Sequence, residues 1–239
     1  MSGRTIIVGA GQAGARTASA LRRLDATADI VLIGDEQDLP YERPPLSKEV
    51  LNGASPSKTT IFPHAWFDEQ RVTLRAGVQV TGFDPRAKQI TLADGESLAY
   101  DNLVLATGVR PRPLTVPGAT LDGVLTLRTI GDSTNMSARL TAGAKVVVIG
   151  GGFLGLEIAA TAVARQCAVT VVESSDKLLP RIFGGFLGEY LSDLHRTHQV
   201  DVRTGVAVAA LEGQTSVEAV RLADGTVLAA DVVVVAIGA

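Results

Sequence analysis

One carboxylate stands in an otherwise apolar stretch of the chain. Glu157 lies in FLGLEIAATAVA, residues 153–164, where Thr161 is the only other polar residue. If this stretch is a helix in the core, an unpaired carboxylate there would be costly, so Glu157 is expected to pair with a cation. Lys48 is the candidate, because it ends a proline-rich loop of the other half that could reach across. Two simpler interpretations stay open: the carboxylate could merely favour the positive helix N-terminus, and Lys48 could be a solvated loop lysine.

Two glycine-rich motifs form the second set of candidate functional residues. GAGQAG follows a β-branched run at residues 9–14, and GGGFLG follows another at residues 150–155. In such motifs the first glycine turns the chain, the second lets the backbone approach a pyrophosphate at the helix N-terminus, and the third permits close helix–strand packing. The glycines concerned are Gly9, Gly11, Gly14, Gly150, Gly152 and Gly155. Two copies in full context favour two dinucleotide sites over glycines that serve only tight turns.

Acidic residues follow the second strand expected in each half. Asp35 and Glu36 lie roughly 25 residues after Gly9, and Glu173 lies at a similar distance after Gly150, where a dinucleotide-binding unit carries its ribose-binding acid. Either Asp35 or Glu36 could face a ribose, and we choose Asp35. Glu173 is followed by Ser-Ser-Asp with no arginine to receive a 2′-phosphate, which favours NADH over NADPH.

The chain repeats itself beyond the glycines. LADG occurs at residues 92–95 and again at 222–225, each time as a D-G hairpin turn between alternating strands. A buried strand then ends in Ala-Thr-Gly at residues 106–108 or Ala-Ile-Gly at residues 236–238, with the same spacing from the turn. The repeat predicts an α/β fold of two Rossmann-like domains of the three-layer ββα type, the second inserted in the first.

Two further segments carry structural predictions. PYERPPLSK at residues 40–48 has no counterpart in the second half, and its three prolines predict a pinned loop without regular structure. Residues 183–198 predict an amphipathic helix facing the core, with helical spacing of Phe183, Leu187, Tyr190, Leu191 and Leu194. The three histidines, His64, His195 and His198, form no catalytic triad and no metal-binding spacing, so no metal is expected.

Composition narrows the functional class. The 239 residues are 46% hydrophobic and 20% charged, as in globular proteins, and the net charge of −3 argues against nucleic acid as the main partner. A single cysteine permits no internal disulfide or dithiol. The N-terminus lacks a signal-peptide pattern and no stretch is long and apolar enough to span a membrane, so we expect a cytoplasmic protein without a membrane partner, as a monomer or weak dimer.

The motifs together resemble one enzyme family. GAGQAG, GDE, PYERPPLSK, LVLATGVRPRPL, LRT and VVIGGGFLGLEIAA are similar to those of the NADH-dependent FAD ferredoxin reductases of bacterial oxygenase systems, the family of the putidaredoxin, rhodocoxin and biphenyl dioxygenase reductases. The resemblance covers essentially the whole chain. It implies an oxidoreductase that passes electrons from NADH through FAD to a [2Fe–2S] ferredoxin. Disulfide reduction is excluded, because no dithiol exists and Cys167 lies at the far end of the nucleotide helix.

The resemblance also implies roles for individual residues. Residues 1–112 would be the first part of the FAD domain, residues 113–231 the NADH domain and residues 232–239 the start of a segment that returns to the FAD domain. Lys48 and Glu157 would pair beside the flavin N5 as catalytic residues. Further FAD-binding residues would be Ala13, Asp35, Arg43, Val80, Ala106, Thr107, Gly108 and Arg128, and the NADH site would include Phe153, Leu154 and Glu173.

Two expectations concern the limits of this interpretation. In the family, a segment with a Gly-Asp motif and a C-terminal interface domain follow the second A-x-G strand, whereas this sequence stops at Ala239. The chain is therefore expected to be a truncated form, with FAD weakly bound. The alternative function is a noncatalytic NADH-binding or redox-sensing fragment that docks a partner protein.

Overall fold

The computed structural model describes residues 3–179 and 184–239, which fall into two compact units. The first unit comprises Met1–Glu42 and Ser57–Val109, and the second comprises Arg43–Pro56 and Arg110–Ala239. No helix of the described residues is long and apolar enough to cross a membrane.

The first unit is built on a parallel sheet of four strands in the order β3-β2-β1-β7. These strands are β1 (Arg4–Val8), β2 (Asp29–Ile33), β3 (Val72–Arg75) and β7 (Asn102–Leu105). Helices α1 (Gln12–Leu24) and α2 (His64–Glu69) cover one face. The other face packs against an antiparallel sheet of β4 (Val80–Asp84), β5 (Gln89–Leu92) and β6 (Ser97–Ala99). Four consecutive buried residues in both β1 and β2 are typical of strands covered on both faces.

The second unit repeats this plan around a parallel sheet in the order β11-β10-β9-β15-β8. Its strands are β8 (Val124–Leu125), β9 (Lys145–Ile149), β10 (Ala168–Val172), β11 (Asp201–Arg203) and β15 (Val232–Val235). Its helices are α3 (Ile130–Arg139), α4 (Phe153–Ala164) and α5 (Gly184–Thr197). An antiparallel sheet of β12 (Val208–Glu212), β13 (Ala219–Leu222) and β14 (Val227–Ala229) packs on the parallel sheet through Leu211, Val220 and Leu222. The predicted α/β class with two Rossmann-like units is confirmed.

Two parts of the expected division of the chain are corrected. The segment 43–56, expected in the first domain, belongs to the second unit, where its buried Leu46 and Leu51 lie against α3 and α4. Strand β15, expected to return to the first sheet, pairs in parallel with β9 from Val232 to Val235. The internal repeat explains the second correction, because β7 pairs with β1 in the same way in the first unit.

Two local expectations also change. The proline-rich loop contains one turn of 3₁₀ helix, Pro44–Ser47, because proline is compatible with the first positions of a helical turn. Helix α5 forms, but Tyr190 is 56% exposed and Leu194 is 39% exposed, so these two side chains do not face the core as predicted. Phe183 lies outside the described residues.

Candidate functional site

Each unit places its glycine motif between the first strand and the first helix. In the first unit Gly9 has a φ of +109°, and a Cβ there would lie 2.2 Å from the Ala106 carbonyl oxygen. A Cβ on Gly14 would lie 1.9 Å from the Gly9 carbonyl oxygen. A Cβ on Gly11, by contrast, would meet no atom within 4 Å. The outer glycines are therefore required by the fold, whereas Gly11 keeps an open space at the N-terminus of α1.

The second unit has the same geometry. Gly150 has a φ of +113° and a Cβ there would lie 2.4 Å from the Ala236 carbonyl oxygen, while one on Gly155 would lie 2.1 Å from the Gly150 carbonyl oxygen. A Cβ on Gly152 would again meet nothing within 4 Å. Gly11 and Gly152 are the N-caps of α1 and α4, and neither helix has a side-chain cap. Each unit thus offers an open helix N-terminus that fits a pyrophosphate.

The acids at the strand ends differ between the units. Glu173 is half-buried, and its carboxylate accepts hydrogen bonds from the backbone N–H groups of Gly151 and Ser175, both at 2.8 Å. These bonds fix the carboxylate against the glycine motif. In the first unit Glu36 accepts the Tyr41 hydroxyl at 2.5 Å, whereas Asp35 is exposed. The Glu36 side chain is thus held by Tyr41, whereas the Asp35 side chain is exposed to solvent.

The strand that ends in A-x-G closes each motif from the side. Ala106 donates its N–H to the Val8 carbonyl at 2.7 Å, and Ala236 donates its N–H to the Ile149 carbonyl at 2.8 Å. Gly108 and Gly238 both have positive φ, at +69° and +103°. Thr107 is exposed next to this turn. Residues 106–108 therefore border the glycine motif of the first unit, as expected for a shared ligand cradle.

The remaining candidates lie at several places. Ala13 is exposed in the first turn of α1, and Val80 begins β4 and packs against the core of the first unit. The Arg43 guanidinium donates to the Arg128 carbonyl, so these two lie together in the second unit. Phe153 is 52% exposed and Leu154 is 37% exposed at the start of α4, beside Gly152. Their assignment to cofactors stays a prediction.

A polar row on α4 holds the segment 43–56. Glu157, Thr161 and Arg165 follow one another at four-residue intervals, so they share one helix face. The Thr161 hydroxyl donates to the Ser47 carbonyl at 2.9 Å. The half-buried Arg165, directly after α4, donates to the Leu51 carbonyl at 2.6 Å and to other oxygens near the end of α3. The segment is thereby fixed to α4 through its backbone.

The first member of the row makes the predicted ion pair. Lys48 Nζ lies 2.8 Å from Glu157 Oε2, with the two side chains 43% and 36% exposed. Lys48 Nζ also donates to the Pro44 carbonyl at 3.1 Å. The expectation that these residues form one ionic unit is confirmed, but the pair is half-buried, and both residues lie in the second unit.

Cysteine and metal chemistry find no support in the described residues. Cys167 is buried and its thiol donates to the Thr141 carbonyl at 3.3 Å. Burial raises the pKa of the Cys167 thiol, partly offset by the charge of Arg165, so its reactive thiolate is disfavoured. No group of three or more His, Cys, Asp or Glu that could hold a metal ion occurs in residues 3–179 and 184–239.

Comparison with known proteins defines the class. The model of the pyridine nucleotide-disulphide oxidoreductase family matches residues 3–239. The chain therefore belongs to this family of oxidoreductases. Its single cysteine means that it has the family's fold without an internal dithiol.

Individual relatives carry more specific names. The chain is 42% identical, over 98% of its length, to the ferredoxin–NAD(+) reductase component of the p-cumate 2,3-dioxygenase system of Pseudomonas putida, and 41% identical to rhodocoxin reductase of Rhodococcus erythropolis. It spans 58% and 55% of these two proteins. The crystal structure of a covalent putidaredoxin reductase–putidaredoxin complex matches with a TM-score of 0.96 and 38% identity, covering 99% of this chain and 58% of that chain.

Proposed function

We propose that this chain carries the nucleotide-binding part of a reductase that passes electrons from NADH through FAD to a [2Fe–2S] ferredoxin of an oxygenase system. The observation that carries the proposal is the presence of two open glycine cradles in one chain together with the Lys48–Glu157 pair. Relatives named as ferredoxin reductases support it.

The first unit is proposed to bind FAD. Gly9, Gly11 and Gly14 shape the cradle for the pyrophosphate, and residues 106–108 border it. Asp35 is the proposed ribose-binding acid, because it is exposed while Glu36 accepts the Tyr41 hydroxyl. The resemblance adds Ala13 and Val80 of the same unit to this site.

The second unit is proposed to bind NADH. Gly150, Gly152 and Gly155 form the cradle, and Phe153 and Leu154 lie at its exposed rim. Glu173, fixed by the Gly151 and Ser175 N–H groups, accepts hydrogen bonds from the hydroxyls of an unphosphorylated ribose. A 2′-phosphate would repel this carboxylate.

Lys48 and Glu157 are the proposed catalytic pair. FAD, when bound, supplies a ring system that accepts a hydride from NADH and releases its electrons singly. The Lys48 ammonium places a fixed positive charge where negative charge develops. Glu157 orients this ammonium through the 2.8 Å ion pair.

The proposed partner is a [2Fe–2S] ferredoxin, and the similar solved structure of a putidaredoxin reductase–putidaredoxin complex supports a protein partner. We place the protein in the cytoplasm, as a monomer or weak dimer without a membrane or nucleic-acid partner. The net charge of −3 is consistent with the latter.

Anaerobic reduction tests the proposal. Because FAD is expected to bind weakly, the chain is held in excess FAD and treated with NADH, and loss of flavin absorbance beyond that of a protein-free control is followed before a [2Fe–2S] ferredoxin is added. We expect NADH to bleach the flavin, the ferredoxin to reoxidise it, and Lys48→Met to slow bleaching at least about tenfold. Tight NADH binding with no flavin binding even in excess FAD would contradict the proposal and support a noncatalytic NADH-binding module. Bound flavin that NADH does not reduce would also contradict it.

A further inference from the structure

The neutral hydroxyl of Ser47 contacts the Lys48–Glu157 ion pair. Ser47 is 2% exposed, and its hydroxyl lies 2.6 Å from Glu157 Oε2, the same oxygen that Lys48 contacts. The Ser47 hydroxyl also lies 3.3 Å from the Pro44 carbonyl, a longer and weaker alternative. Its proton is therefore directed to the carboxylate.

We propose that Ser47 is the positioning residue of Glu157. Its hydroxyl and the Lys48 ammonium both bind Oε2, which leaves Oε1 to accept a hydrogen bond from a bound ligand. This inference rests on the proposed function, in which Glu157 acts with Lys48. Two donors on one oxygen fix the rotation of the carboxylate, because turning it would break both bonds. Within the described residues Oε1 has no hydrogen-bond or ion-pair partner.

The surroundings fit a positioning role. The Ser47 backbone is itself held by the Thr161 hydroxyl, one helical turn after Glu157. Lys48 is the only ion-pair partner of Glu157 in the described part of the chain, and the α3 side chains that bind this segment, Ser133 and Ser137, are neutral. The Ser47 hydroxyl is thus the group, besides Lys48, that stabilises the ionised carboxylate.

The carboxyl carbon signal of Glu157 gives a readout that does not depend on flavin or turnover. It is measured by carbon NMR of labelled glutamate carboxyls in the full chain at neutral pH, with the signal assigned by its absence in Glu157→Gln. Ser47→Ala removes a short hydrogen bond to Oε2, so it should shift this signal. Thr161→Val is the matched control, because it removes a hydrogen bond to the same segment but none to the carboxylate.

The variants separate positioning from general stability. We expect Ser47→Ala and Thr161→Val to lower the unfolding temperature, but only Ser47→Ala to shift the Glu157 carboxyl carbon signal, and Ser47→Thr to restore it. An unchanged signal in Ser47→Ala, or equal shifts in both variants, would overturn the inference. If Ser47→Thr does not fold, the comparison of the other two decides.

A kinetic arm links the residue to the reaction. With the protein held in excess FAD, NADH-driven bleaching at saturating NADH should be at least about fivefold slower in Ser47→Ala than in Thr161→Val, because only Ser47→Ala frees the carboxylate to turn. Equal rates in the two variants would overturn the positioning role. Failure of the wild-type chain to bleach would overturn the proposed function alone, because the NMR result is independent of it.

Discussion

The helices after the two glycine motifs occupy equivalent places but carry different faces. In α4 the row of Glu157, Thr161 and Arg165 binds the segment 43–56. The corresponding positions of α1 are Arg16, Ala20 and Leu24. Arg16 forms only a half-exposed ion pair with Glu42 at 3.5 Å, and Leu24 is 82% exposed.

This difference separates what the fold requires from what the function adds. Both units need the outer glycines, because a Cβ at any of the four positions would lie within 2.4 Å of a carbonyl oxygen. Only α4 has the polar row, and the Lys48–Glu157 ion pair at its start is shorter and less exposed than the Arg16–Glu42 pair of α1. Two units of the same plan thus differ in the helix face that follows the glycine motif.

The largest effect on stability is expected at Arg165, the last residue of the polar row. Arg165→Met removes donors to the carbonyls of Leu51, Ser137 and Leu140 and should lower the free energy of unfolding by about 2–4 kcal/mol. Leu24→Met at the equivalent exposed position of α1 should change it by less than about 0.5 kcal/mol. Denaturant unfolding measures both. Equal losses would mean that the row has no special structural role.

The preference for NADH over NADPH should depend on Glu173 and not on Asp35. NADH should bind at least about tenfold more tightly than NADPH, because Glu173 repels a 2′-phosphate. Glu173→Gln should narrow this ratio, whereas Asp35→Asn in the first unit should leave it unchanged. Fluorescence titration of the reduced nucleotides provides the measurement. Equal affinities in the wild-type chain would refute the assignment of Glu173.

A smaller effect is expected for the ion pair. Lys48→Met and Glu157→Leu should be coupled by about 1 kcal/mol in a double-mutant cycle, since a half-exposed pair is screened by water. The pair Arg16 and Glu42 in the first unit is the control, with a coupling of less than about 0.5 kcal/mol because it is longer and more exposed. Additive effects of the Lys48 and Glu157 substitutions would contradict the account.

The smallest effect concerns pH. Burial, with a contribution from His198, lowers the pKa of His195 below its usual value of 6.5. The unfolded chain therefore binds this proton more readily, so stability should fall as the pH drops through about 6.5 toward the lower folded pKa. His195→Gln should flatten this dependence, whereas His64→Gln on the exposed start of α2 should not. Thermal unfolding across this range is the test, and equal pH slopes in wild type and His195→Gln would contradict it.

Local sequence patterns predicted much of this molecule. The glycines, the strand-end acids and the repeated LADG turn indicated two Rossmann-like units because each has a short-range physical reason. The Lys48–Glu157 pair was predicted from the cost of a lone carboxylate in an apolar helix. The pairing of β15 was predicted incorrectly. The prediction followed the family resemblance, whereas the internal repeat indicates that β15 pairs with β9 as β7 pairs with β1.

Other features depend on contacts between distant parts of the chain. The Ser47–Glu157 and Arg165–Leu51 contacts were missed because each joins residues more than 100 positions apart in sequence. The spacing of Glu157, Thr161 and Arg165 was the available signal, since three polar residues on one face of an apolar helix require a polar partner. Thr129 and Asp132, which form a capping box at α3, also have a recognisable spacing.

The most direct measurement is a crossed titration of the two open glycines. Gly11→Ala and Gly152→Ala each place a methyl group in a cradle without meeting any protein atom within 4 Å, so both should fold with unchanged unfolding temperature. The account predicts that Gly152→Ala weakens NADH binding at least about tenfold and leaves FAD binding unchanged, while Gly11→Ala does the reverse. Loss of the same nucleotide in both variants, or of neither, would contradict the assignment of FAD to the first unit and NADH to the second.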